Sequence, residues 1–132
     1  MSSQSKPAAH DYSQPGLWQE KPEAWHDFVK GVKRRIVANS LTGTMALYWL
    51  EPASRVALHS HPHAQYGICL EGSGEFRIGD KVWKVGKGDG YYIPPGMSHE
   101  LTVSEKEKAV LIEFFTPHRE EFLKEVLPSD GR

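Results

Sequence analysis

Between Lys30 and Thr116 a glycine, a proline or a turn pair interrupts the chain every eight to twelve residues. Such spacing leaves no room for a long helix, and within the intervals the polarity alternates as it does along strands. In TMALYWLE, Met45, Leu47 and Trp49 share one face while Ala46, Tyr48 and Leu50 share the other, the pattern of a strand covered on both sides. Further short strands are expected at Val32–Ala38, Val56–His59, Gln65–Glu71, Glu75–Ile78, Lys81–Val85, Tyr91–Ile93, His99–Val103 and Ala109–Phe115. Gly79-Asp80 reads as a two-residue hairpin turn. Regular short strands with polar turns predict an all-β sandwich or barrel.

The two ends read differently. Residues 1–24, rich in Ser, Gln, Pro and Lys at their start, are expected to form a flexible N-terminal arm, with Trp18 and the adjoining Trp25 available to dock on the body or on a second subunit. Residues 25–132 form the expected barrel domain, whose end carries a short C-terminal helix over Arg119–Val126, with Phe122, Leu123 and Val126 on one side.

Charge and cysteine content narrow the function classes. With 132 residues, 16 basic and 17 acidic side chains and a net charge of −1, the chain lacks the basic excess that phosphate-backbone binding requires, so no nucleic-acid partner is expected. The longest apolar run, Met45–Leu50, is too short to span a bilayer, and the first twenty residues show no signal-peptide pattern. The single cysteine, Cys69, excludes an intrachain disulfide framework and is read as a small buried hydrophobe. A soluble, cytoplasmic protein with no membrane partner is the expectation.

Seven histidines are the unusual entry. LHSHPHAQ sets His59, His61, His63 and Gln65 at alternate positions, which on a strand point to one side and form a metal-chelating pattern, although Pro62 bends or ends a strand there. IPPGMSHE adds His99 after a turn stiffened by Pro94 and Pro95 and freed by Gly96.

These segments resemble the cupin superfamily. Its second motif, G-x5-P-x-G-x2-H, is met at every fixed position by Gly88, Pro94, Gly96 and His99, while Val103 stands where the family has asparagine. The first, G-x5-H-x-H-x3-E-x6-G, is met by His59, His61 and Gly72, with Gln65 in place of glutamate and Ala53 in place of the leading glycine. The resemblance implies a single jelly-roll β-barrel holding one divalent metal ion (zinc, nickel, iron, cobalt or manganese) by His59, His61, Gln65 and His99. An uncharged amide leaves the ion its full charge, a stronger Lewis acid that favours an anionic ligand.

At finer grain, GVKRRI at 31–36, the LHSHPHAQ region and FFTPHREEFL at 114–123 resemble small cupins of pectin and alginate breakdown, which turn 4,5-unsaturated monouronates into a linear keto sugar acid. The likeness implies catalytic roles for Glu113, Phe115 and Arg119, where those cupins carry aspartate, phenylalanine and arginine; Ala64 replaces their usual glutamate. It also implies a small anionic substrate, a sugar acid, and a homodimer. Two other readings are a metal-dependent cupin dioxygenase and a non-catalytic cupin that binds a small molecule. Lys33, Arg34 and Arg35 are read as solvated strand charge. Of Tyr48, Trp49, Tyr66, Trp83, Tyr91 and Tyr92, most are expected to fill the core.

Overall fold

The computed structural model describes residues 11–119. Ten strands follow a short 3-10 turn at Pro22–Ala24: β1 (Trp25–Val29), β2 (Val32–Ser40), β3 (Gly43–Leu50), β4 (Arg55–His59), β5 (Ala64–Glu71), β6 (Ser73–Ile78), β7 (Lys81–Gly86), β8 (Gly90–Ile93), β9 (His99–Val103) and β10 (Ala109–Thr116). They form a six-stranded sheet, β1-β2-β3-β10-β5-β8, and a four-stranded sheet, β4-β9-β6-β7, in which every described pairing is antiparallel. Together they make a jelly-roll β-sandwich, so the all-β expectation and nearly every strand position hold. Gly79-Asp80 closes the β6–β7 hairpin, with Ile78 opposite Lys81. The C-terminal helix expected over Arg119–Val126 lies, beyond Arg119 itself, outside the described residues.

Alternation explains the core. Val32, Ile36, Leu50, Ile93, Val103 and Phe115 are all fully buried, each on the inward parity of its strand. The register stacks inward side chains in rungs across the larger sheet. One rung runs Ile36–Ala46–Glu113–Gly67–Tyr91, and the next contains Thr44, Phe115, Gln65 and Ile93. Glu113 is flanked on this inner face by the small residues Ala46 and Gly67.

The sequence reading needs four corrections. β1 had no strand signal, because its residues are half-buried or exposed and so lack a buried period. β3 is fully covered on one side only: Thr44, Ala46, Tyr48 and Leu50 are buried, whereas Met45 and Leu47 are half-buried and Trp49 is exposed. The aromatic residues mostly do not fill the core. Tyr48 is buried and Tyr91 packs against the core, but Trp49, Tyr66 and Tyr92 stand on outward parities and are exposed, and Trp83, opposite Phe76 on the edge strand β7, is exposed as well. Finally, the basic run is not uniformly solvated. Lys33 is exposed, Arg34 lies over the Phe28 ring at 4.5 Å, and Arg35 is buried with Nη1 donating to the Trp18 carbonyl. Trp18 packs against the core, and Trp25 opens β1 with its indole N–H donating to Glu20.

Candidate metal centre

Three histidines from separate places in the fold meet at one end of the sandwich. His59 ends β4, His99 begins β9, and the β4–β9 register sets them directly opposite each other. An irregularity in that pairing between Val56 and His59 re-aims the end of β4. His61 is not on a strand. It sits in the bend between β4 and β5, where the chain passes from the smaller sheet to the larger, and Gln65 then lies on β5. The alternate spacing therefore works by a different route from the single continuous strand expected: Pro62 breaks the strand and the bend folds His61 inward. The second motif supports the first, since the Gly96 N–H donates to the His61 carbonyl at 2.8 Å. Gly96 has φ +76° and open space where a Cβ would stand, so backbone conformation is what asks for glycine there.

Each imidazole is held by its outer nitrogen. Nδ1 of His59, His61 and His99 lies 2.8, 3.0 and 2.9 Å from the carbonyl oxygen of Ala57, His63 and Met97 respectively. A ring nitrogen facing a carbonyl carries the proton, which leaves Nε2 with a free lone pair. One ring nitrogen from each histidine lies within 4.8 Å of the others. Burial lowers the pKa of His61, and that of His99 to about 4, so both rings stay neutral, the form that ligates metal. Nε2 of His99 is buried with no hydrogen-bond partner among the described residues.

A fourth group converges on the same place. Gln65 Oε1 lies 2.9 Å from His61 Nε2, and with the amide N–H₂ turned to Glu113 the two facing atoms are both acceptors. Acceptors aimed at one another are a poor hydrogen bond but a good pair of metal ligands. Two ligand atoms about 2.1 Å from one ion and at right angles lie about 3 Å apart. The residues present fit a divalent cation.

Beside this cluster lies a cavity of about 370 Å³, within the usual range for small-molecule sites, lined by His59, Gln65, His99, Glu113, Phe115 and Arg119 among others. Glu113 is buried on β10, and burial raises its pKa from 4.5 to about 7, against the opposing pull of hydrogen bonds from Tyr91 and Gln65 and of the Arg119 charge. The Tyr91 hydroxyl donates to Glu113 Oε2. Phe115 is fully buried and meets the His61 ring edge to face at 5.6 Å. The Arg119 guanidinium sits 4.8 Å above the Phe115 ring, and its backbone N–H donates to Thr44 Oγ1. Six of the seven residues named as metal ligands or catalytic groups thus line one cavity, and the seventh, His61, adjoins it through Gln65 and Phe115.

The family described as Cupin domain matches residues 46–115. This chain is a cupin. Solved structures agree on the fold. An RmlC-like cupin from Shewanella frigidimarina has a TM-score of 0.74 at 22% identity, covering 83% of this chain and 98% of that one. KdgF from a Halomonas species gives 0.75 at 21%, covering 83% and 99%. A cupin-2 domain protein from Rhodospirillum rubrum gives 0.63 at 23%, covering 95% and 84%. No curated protein matches the chain.

This cupin departs from its family's first motif at Ala53, and the departure has a backbone signature. Ala53 adopts φ +64°, the left-handed conformation a leading glycine would take without cost. Sequence reasoning set Tyr91 among undifferentiated aromatics and made nothing of Gly67. The signal that joins them is the two-strand register around Glu113, which a linear pattern does not contain. Cys69, as expected, is buried in the core, opposite Leu111, and burial raises its thiol pKa. Among the described residues no helix is long and apolar enough to cross a membrane.

Proposed function

We propose that this cupin binds one divalent metal ion through His59, His61, Gln65 and His99 and converts a 4,5-unsaturated monouronate into a linear keto sugar acid in the cytoplasm. The observation that carries the reading is a buried carboxyl, Glu113, that lines one cavity together with His59, His99 and Arg119. The sequence likeness to the pectin and alginate cupins supports it, and KdgF is among the neighbours in fold.

The reaction opens a hemiacetal. Its hydroxyl loses a proton as the carbon–oxygen bond of the ring breaks, the ring oxygen keeps the electron pair, and carbon four takes a proton to give the ketone. No electrons are gained or lost. A divalent ion, when bound, supplies a Lewis acid for the oxygen that develops negative charge. Arg119 grips the substrate carboxylate by two parallel hydrogen bonds, its guanidinium plane supported by Phe115. Glu113 takes the hydroxyl proton and returns it to carbon four, a task suited to a carboxyl whose pKa is raised to about 7.

The test is loss of the ultraviolet absorbance of the conjugated enol when metal-loaded protein meets unsaturated monouronate. No change beyond the spontaneous rate, with metal confirmed bound, ends this reading. Oxygen uptake by the iron-loaded protein would favour a dioxygenase instead.

The same reading includes a homodimer. Trp49, Tyr66, Ile68 and Leu70 expose apolar surface on the outer face of the larger sheet, more than a solvated face needs. Sedimentation analysis tests this, and a monomer at micromolar concentration removes it.

A further inference from the structure

Glu113 is reached from two sides. Gln65 bonds it from the side of the histidines, and the Tyr91 hydroxyl donates to it from the other. Glu113 lines the histidine cavity. Tyr91 does not; it lines a separate pocket with Trp83 and Tyr92. The phenol therefore meets the carboxyl sideways, from the β8 side of the rung, and is not itself part of the cavity lining.

Position 67 makes this approach available. Gly67 on β5 stands opposite Glu113 on β10 and opposite Tyr91 on β8. Adjacent strands lie about 4.8 Å apart, so Tyr91 must cross a whole strand to touch a residue two strands away. It crosses directly over Gly67. A Cβ at that position would come within 2.3–2.4 Å of the Tyr91 ring and hydroxyl, which occupy the volume any other side chain would need. Phe76 backs the ring, centroids 4.7 Å apart, and so limits its retreat.

We propose that Tyr91, admitted by glycine at position 67, is a positioning residue that orients the Glu113 carboxyl toward the cavity. The inference rests on the reading of Glu113 as the proton carrier. A glutamate side chain has several rotatable bonds, and Ala46 and Gly67 beside it supply no packing to restrain them. A hydrogen bond from the side fixes the carboxyl, and misplacement of a reacting group by about 1 Å costs on the order of a hundredfold in rate.

Tyr91→Phe keeps the ring and removes the hydroxyl. It is expected to lower kcat on unsaturated monouronate by about tenfold or more, leaving KM within about twofold and metal content unchanged. Gly67→Ala, which displaces the ring, is expected to give the same signature, and combining it with Tyr91→Phe to add little. Wild-type kcat in Tyr91→Phe overturns the proposal. A second readout needs no turnover: the Cζ resonance of ¹³C-labelled Tyr91, assigned by its loss in Tyr91→Phe, should move in Glu113→Gln. An unmoved signal overturns the pairing. Wild-type protein that leaves the uronate untouched sinks the proposed reaction and the catalytic purpose with it, while the pairing still stands or falls on the carbon signal.

Discussion

His59 and His99 face each other across the β4–β9 pair with ring centroids 4.3 Å apart, each tied through Nδ1 to a backbone carbonyl. Two imidazoles so close gain little from one another in the absence of a shared ligand. The arrangement is that of a prepared chelate, and it ranks the histidines by what their rings and backbones do.

His99→Ala should abolish metal retention, because it removes a lone pair already aimed at the cluster. His63→Ala should leave metal content intact. His63 supports His61 through its backbone carbonyl, 3.0 Å from His61 Nδ1, and that group survives the substitution. Elemental analysis after dialysis decides both, and metal lost from His63→Ala would show that the four-ligand set is incomplete.

Metal should stabilise the fold. A ligand at one hundred times its dissociation constant adds about 2.7 kcal/mol to a protein that binds it only when folded, or roughly 10 °C in melting temperature for a domain of this size. Chelator should reverse the shift. Equal melting temperatures with and without saturating zinc or nickel would contradict a site built from both sheets.

Glu113 makes metal-free stability depend on pH. Its pKa is raised from 4.5 to about 7, so between those values the unfolded chain binds fewer protons than the folded one, and stability falls as pH rises through that window. Below pH 4.5 the penalty vanishes; above pH 7 it is complete. Urea unfolding of wild type and Glu113→Gln, both metal-free, isolates this group from the histidines. The difference should favour the variant increasingly from pH 5 to about pH 7 and then level off, and a difference independent of pH would refute the assignment.

Ala53→Gly should stabilise the protein. Alanine in the left-handed region costs about 1–2 kcal/mol, while glycine gives back about 0.4–1 kcal/mol of that through unfolded-chain entropy. Ala53 is exposed, so no packing is lost. A gain of roughly 0.5–1 kcal/mol in chemical denaturation is expected; a loss would mean that the conformation at 53 is not set by the backbone.

By itself the sequence determined the strand positions from Val32 onward, the two faces of β3, and the identity of the convergent histidines. Those are matters of local period and of motif spacing, which neighbouring residues carry between them. The N-terminal strand was illegible because Trp25–Val29 buries no regular face. The exposed aromatics were misread because alternation tells which residues share a face but not which face meets a second sheet. Only the tertiary structure decided that His61 enters from a bend and not from a strand, and that Gly67 opens a passage for Tyr91 to Glu113. Both depend on register between strands far apart in the chain. Register is set by the summed packing of whole faces, so no short stretch of residues records it.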